Sequence, residues 1–198
     1  MDMLRSLRTL GAALFATLLL LGAGTASAVT IVYQYWGSAS GSFGGQAFSD
    51  EAFLITAQAD TATVAPWASA TVQNTHASAS ITIGSFGTLT FTLPSHTWVA
   101  DNCCMGIGAN LSINWLTLGA GIGTYGLSTN FGPFFDASAS TQGQFVNIAT
   151  SGGALTISSL TNGATFQATV VPEPGTYALM AAGLLAVSGV ARRRSRLA

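Results

Sequence analysis

Few side chains in this sequence have the types and spacing that covalent or metal chemistry needs. Ser95 and His96 stand next to each other with Asp101 five positions on, the three residue types of a nucleophile, base and orienting acid. A triad is made by geometry in space, and no Gly-x-Ser-x-Gly elbow is present to aim a serine, so a lone histidine here reads as a packed or surface side chain. His76 reads the same way. Cys103 and Cys104 are adjacent, and adjacent Cα atoms lie ~3.8 Å apart where a disulfide normally spans about 4.4 Å or more. Three states stay open for the pair: a vicinal bridge stiffening the turn from Asp101 to Gly106, free or buried thiols, and intermolecular links. Zinc would need four ligands at defined spacing, which two cysteines with His76 and His96 do not provide, so no metal ligand is assigned. Asp50 and Glu51 would face opposite sides of a strand, unlike the convergent carboxyl pair of a glycosidase. Calcium is a candidate ligand at Asp50, Glu51, Asp60, Asp101, Asn102 or Asp136, because hard cations take such oxygens, although no EF-hand loop is present. Trp36, Trp67, Trp98 and Trp115 could stack on sugar rings. Trp115 alternates with Leu111 and Ile113 and reads as core, which leaves Trp67, after Pro66, and Trp98 as the glycan-stacking candidates.

The elements that must hold these residues are strands. Leu89, Phe91 and Leu93 alternate with threonines between Thr88 and Leu93, and Leu111, Ile113 and Trp115 alternate with polar residues between Asn110 and Trp115. Period two recurs at Thr30 to Tyr35, Phe53 to Asp60, Ser80 to Ile83, Leu155 to Ser158 and Phe166 to Val170, with a weaker case at Gln144 to Ile148. That predicts about eight strands and no amphipathic helix. Asn162-Gly163 predicts a hairpin turn, since both residues accept positive φ. Gly84 to Gly87 predicts a second turn, and the glycine-rich stretches Gly37 to Gly45 and Gly119 to Gly126 predict long loops. Apolar-in, polar-out alternation predicts an all-β domain, an antiparallel β-sandwich of jelly-roll type.

The 198 residues leave room for one such domain plus targeting segments. Every basic residue lies near an end: Arg5, Arg8, Arg192, Arg193, Arg194 and Arg196, with no lysine anywhere. Between 29 and 171 the charged residues are Asp50, Glu51, Asp60, Asp101 and Asp136, a formal charge of −5. A nucleic-acid partner is excluded on that distribution, because phosphate contacts need clustered Lys or Arg. Nearly half the residues are apolar, enough for a packed core under a surface of Ser, Thr, Asn, Gln and Gly.

Two arginines precede a largely apolar run from Leu10 to Leu21, and Ala26-Ser27-Ala28 then offers the small side chains that signal peptidase accommodates. Residues 1–28 are therefore expected to be a signal peptide, with Ala26 and Ala28 at the cleavage site, and 29–171 the secreted domain. Gly175 to Ala191 is a run of 17 uncharged residues, about 25 Å as a helix. That is a little short of a ~30 Å hydrocarbon core, and snorkelling arginines make up the difference. The arginines after it keep the tail cytoplasmic, so residues 175–191 are expected to form a transmembrane helix with the domain across the membrane.

Between domain and helix stands Val171-Pro172-Glu173-Pro174-Gly175, an extended, helix-incompatible spacer. Pro172-Glu173-Pro174, a short apolar helix and a terminal arginine cluster, in that order, resemble the PEP-CTERM sorting signal of Gram-negative bacteria. The resemblance covers about residues 172–198. It implies recognition by exosortase, a membrane-embedded transpeptidase-like enzyme, at Pro172, Glu173 and Pro174. Arg192, Arg193, Arg194 and Arg196 serve as the cytoplasmic stop, with helix removal and transfer to the cell surface or exopolysaccharide matrix. The expectation is an exported, transiently membrane-anchored protein with a non-catalytic structural or adhesive β-domain and no cofactor. A polysaccharide-binding or polysaccharide-modifying module is the alternative. Its partners would be signal peptidase and exosortase during export, and extracellular polysaccharide as a candidate afterwards.

Overall fold

A computed structural model describes residues 29–68, 70–110, 113–119, 122, 124–172, 175, 180, 181 and 183–185. The signal-peptide residues Ala26 and Ala28, Glu173 and Pro174 of the sorting motif, and Arg192 to Arg196 lie outside that set. Ten strands follow one another: β1 (Thr30–Phe43), β2 (Gln46–Ala68), β3 (Thr71–Ile83), β4 (Gly87–Thr90), β5 (His96–Ala100), β6 (Cys104–Asn110), β7 (Ile113–Leu118), β8 (Phe131–Asp136), β9 (Ile148–Thr150) and β10 (Gly153–Val171). All pair antiparallel in a single sheet of order β7-β6-β5-β3-β2-β1-β10-β8, with β4 on β3 and β9 on β10. The predicted all-β antiparallel class holds. The jelly-roll sandwich does not describe it, because hydrogen bonding runs continuously through one sheet of mostly hairpin neighbours.

That sheet is curled. In a flat sheet β1 and β6 would stand four strand spacings apart, about 19 Å. The Tyr35 hydroxyl on β1 nevertheless lies 3.2 Å from the Gly106 carbonyl on β6. The curl brings the free side of β7 to the segment that follows β8. Thr117 and Ser140 exchange two backbone hydrogen bonds of 2.9 Å, the Asn114 N–H donates to Gln144 Oε1 at 2.6 Å, and the Gly119 N–H donates to Asp136 Oδ2. Phe91 bridges to Thr150 on another rim. Edges that would otherwise offer unpaired backbone to other chains are covered in this way.

Inside the curl lies one core. It takes Ile31, Tyr33 and Tyr35 from β1, Phe53, Ile55 and Ala57 from β2, Ile81 and Ile83 from β3, and Leu155, Ile157, Phe166 and Ala168 from β10. These are period-two positions, as a half-buried strand requires. Trp115 is fully buried against Phe91 and Phe145.

Several local expectations are corrected. Gly37 to Gly45 is no long loop: residues up to Phe43 continue β1, paired on both sides with β2 and β10. Only Gly44 and Gly45 turn the chain, both at positive φ (56° and 86°), the conformation a tight hairpin needs. Asn162-Gly163 also has positive φ at both residues (61° and 83°), yet it makes no hairpin. Thr161 pairs with Ser38 and Ala164 with Gly37, so the two residues bulge out of β10 while the strand runs on along the same partner. The alternation from Asn110 to Trp115 spans a corner, since Asn110 ends β6 and pairs with Ile113 at the start of β7. Ile113 is exposed as a result while Trp115 is buried. Gln144 to Ile148 is not a strand; only Ile148–Thr150 pairs. Leu93, expected on the inner face, is exposed, because β4 ends at Thr90.

Among the described residues no helix is long and apolar enough to cross a membrane. The predicted helix 175–191 falls mostly outside them, and Gly175, Met180, Ala181, Gly183, Leu184 and Leu185, its described residues, are helical and exposed.

The bulge makes a checkable demand. A Cβ on Gly163 would sit 2.1 Å from the Asp136 backbone oxygen, on a backbone at φ 83°. Gly163→Ala is expected to destabilise the domain by about 2–4 kcal/mol, from steric clash plus left-handed strain, measured as a lower urea midpoint at unchanged slope.

Candidate functional site

The inward residues of β3 change parity at a bulge. Gln58 pairs with Ser78 and Ala59 with His76, leaving Ala77 over, so Ala79, Ile81 and Ile83 face the core on one side of it and Asn74 and His76 on the other. At the same place β3 exchanges partners, pairing with β4 over Ser80–Ile83 and with β5 over Thr71–Thr75. Polar side chains are thereby set among apolar ones, where each needs a hydrogen-bond partner.

Two tyrosines of β1 answer that need. The Tyr33 hydroxyl donates to the Leu127 carbonyl at 2.6 Å and accepts from Asn74 Nδ2 at 2.8 Å. Asn74 Oδ1 in turn accepts from the Thr63 hydroxyl at 2.7 Å. The Tyr35 hydroxyl gives its single proton to the Gly106 carbonyl, so Thr97 Oγ1, 3.0 Å away, must donate to Tyr35. Thr97 then has no proton for His76 Nε2 at 2.9 Å, and that nitrogen is the N–H donor. His76 Nδ1 is left as acceptor for the Ser95 hydroxyl at 2.8 Å. The chain Ser95, His76, Thr97, Tyr35, Gly106 thus has one direction throughout. Burial pushes both tyrosine hydroxyls far above their usual range.

The serine expected beside His96 is therefore bonded to His76 instead. Adjacent residues on a strand face opposite sides, which separates the Ser95 and His96 side chains. His76 spends its second nitrogen on a threonine where a catalytic triad would place a carboxylate. Burial, and then the neighbouring His96, lower the His76 pKa to about 3; burial lowers that of His96 as well. Asp101 sits on the exposed β5–β6 turn.

His96 and Trp98 lie on the outer face of β5, opposite to Thr97 and Val99. Trp67 packs edge-on against both, with ring centroids 5.2 Å from His96 and 6.2 Å from Trp98. Trp98 crosses Gly106, where a Cβ would come within 3.0 Å of its ring. His96 is 5 % and Trp98 6 % exposed. His96 Nε2 and Trp98 Nε1 have no hydrogen-bond partner. Trp67 keeps part of its surface in solvent. The periodicity of β5 gave no sign of this cluster, because both faces of that strand are covered.

Cys103 and Cys104 are joined as a vicinal disulfide on the turn from β5 to β6. The Asp101 N–H of that turn donates to the Ala70 carbonyl at 2.8 Å, which ties it to the β2–β3 tip. The carboxylates are dispersed: among the described residues no three His, Cys, Asp or Glu side chains cluster as metal ligands. Asp50 accepts from the Thr161 hydroxyl and Asp60 from the Ala62 N–H. At Asp136 burial works to raise the pKa, but hydrogen bonds from the Gly119 N–H and from the Ser138 hydroxyl and N–H outweigh it and hold the group low.

The other site is where the domain ends. Thr30 pairs with Val171, so the first and last ladder residues lie side by side, and Pro172 follows without a spacer.

The half-buried His76 sets a pH response. An unfolded chain protonates His76 near pH 6.5, while the folded state resists protonation until about 3. Stability is expected to be flat above about 6.5 and to fall as pH drops through that window, by about 1.4 kcal/mol per unit at full slope for one proton. His96, lowered in the same direction, adds to the fall. Urea titrations between pH 7 and 4 measure it, and His76→Gln should reduce the slope even if the variant starts from lower stability.

Comparison with known proteins returned no matching curated protein and no matching solved structure. Comparison with protein-family models matched residues 170–195 to the PEP-CTERM protein-sorting motif, starting inside the last two residues of β10. The chain thus carries the PEP-CTERM protein-sorting motif, which implies an exported protein targeted to an exosortase.

Proposed function

We propose that this protein is a non-catalytic surface or matrix component. In this reading the chain is exported through its N-terminal signal, held briefly in the membrane by residues 175–191, and released by exosortase near Pro172-Glu173-Pro174. The observation that carries the reading is the direct junction between the last rung of the β1–β10 ladder and the sorting motif. A closed, lysine-free and arginine-free β-domain is handed over as one folded unit. A non-catalytic role is supported by the Ser95–His76 pair, which is part-buried and has a threonine where a triad has its carboxylate, and by carboxylates engaged singly with neighbouring hydroxyls and N–H groups. The surface of hydroxyl and amide side chains hydrates without titrating and suits a coat or matrix role. Intact-mass measurement of the mature protein should give a chain that starts at Val29 and lacks residues 175–191. Glu173→Ala should leave the C-terminal segment attached and the protein in the membrane fraction. A wild-type chain with an uncleaved C-terminus would overturn exosortase release.

Binding of extracellular polysaccharide is the second reading, favoured by one observation. Trp67 offers a partly solvent-exposed ring, held edge-on by His96 and Trp98 near the tip of the β2–β3 hairpin, the kind of stacking face that sugars engage. On a glycan array the domain of residues 29–171 would then bind at least one matrix polysaccharide. Trp67→Ala would weaken that binding tenfold or more. Absence of binding across the array would leave the coat reading alone.

A further inference from the structure

The strand directions place one set of features at one end of the domain. β1 starts and β10 stops there, with Thr30, Val171 and Asp60 level with one another. β2 and β3 run on past that level: Ala59 is opposite His76, and the pairing continues through Val64–Asn74 and Pro66–Val72 to Ala68–Thr71. Four further residues of β3, from the level of Thr75 to Thr71, project the β2–β3 hairpin about 13 Å beyond the chain ends. The β5–β6 turn stands beside it, since Thr71 pairs with Ala100 and Ala100 with Cys104.

The connection from Val171 to Gly175 spans four Cα steps, at most about 14 Å when fully extended. A tether whose full extension only matches the hairpin's projection keeps the hairpin tip within contact reach of the surface that the helix enters. The tip also has fitting chemistry. No charged residue occurs between Thr61 and Ala100. Pro66 and Ala70 are exposed, and Trp67 is partly so. Tryptophan, with an apolar body and one N–H, is favoured at a membrane–water boundary. Asp101 on the adjoining turn disfavours strongly anionic headgroups.

We infer that, while the C-terminal segment is embedded, the β2–β3 hairpin rests on the lipid surface through Pro66, Trp67 and Ala70. This rests on the membrane-anchor reading given above. The bilayer thereby fixes which end of the domain faces the sorting enzyme, and the Gly44-Gly45 end points away.

The test uses the chain from Val29 to Ala198, free of the expected signal peptide, in phosphatidylcholine vesicles with and without bromine near the top of the acyl chains. Flotation first shows whether the chain stays with the vesicles. Brominated lipid is then expected to quench tryptophan emission, and Trp67→Phe to remove at least half of that quenching. A ten-residue Gly-Ser spacer inserted between Val171 and Pro172 keeps Trp67 and lengthens the tether; it is expected to cut the quenching at least twofold. A chain that does not float overturns the anchor reading and the docking with it. A chain that floats, but whose quenching is absent or indifferent to Trp67→Phe, overturns lipid docking and leaves the anchor standing, with the sorting enzyme as the other occupant of that end. Quenching unchanged by the spacer overturns the tether geometry.

Discussion

The reach of Tyr35 across the curled sheet is the contact on which the rest depends. A hydroxyl on β1 can meet Gly106 on β6 only if the four intervening strand spacings bend around the core, so this bond and the curvature require each other. Once the sheet bends, β7 comes close enough to the segment after β8 to exchange backbone hydrogen bonds at Thr117 and Ser140. The same bend stacks Tyr33, Tyr35, Tyr125 and Phe131 around Phe166. Removing the Tyr35 hydroxyl would leave the Gly106 carbonyl and Thr97 short of a partner in a place water cannot reach, a penalty of about 1–3 kcal/mol for each group left unsatisfied.

A second constraint shapes the polar interior. With no Lys or Arg between 29 and 171, a buried carboxylate would have no strong cation to pair with, and a buried charge without one is costly. The interior polarity is therefore carried by neutral groups: hydroxyls, an amide and an uncharged imidazole. Such a network stays intact at neutral pH, and its weakness is the imidazole, which the unfolded chain protonates more readily than the folded one. The acids that remain are at the surface or on turns, where Asp50 ties its bulge in β2 to Ser40 and Thr161, and Asp136 holds the Gly119 N–H and the turn at Ser138.

What could be read from the sequence followed from how each strand is covered. β1, β2 and β10 have a buried face and a partly wet one, so their alternation was visible at Thr30 to Tyr35, Phe53 to Asp60 and Phe166 to Val170. β5, from His96 to Ala100, is covered on both faces and shows no period. β6 carries Gly106 and Gly108 where Trp98 and the β7 backbone approach, and β8 holds Pro133; neither looks like a strand locally. Asn162-Gly163 has the positive φ at both residues that its sequence predicts, but it bulges out of β10 where the sequence predicts a reversal. Whether such a pair turns or bulges depends on whether the strand partner continues past it, which is a long-range fact. The same limit applies to the site: Ser95 meets His76 through the β3 bulge at Ala77, and nothing within a few residues of Ser95 specifies that meeting. The sorting motif was legible because its parts are consecutive and its chemistry is that of unfolded chain and membrane.

The placement of the two ends has a consequence for how cargo and sorting signal fit together. Because Thr30 is paired opposite Val171, the last strand cannot complete its ladder until the start of β1 is in place beside it. The motif at 170–195 overlaps that final pairing by two residues. A chain in which β1 and β10 have not yet paired leaves Val171 at the end of an unfolded segment, whereas the folded domain fixes Val171 at the end of β10, directly before Pro172. Folding therefore fixes the point from which the sorting motif leaves the domain, without altering any residue of the motif itself.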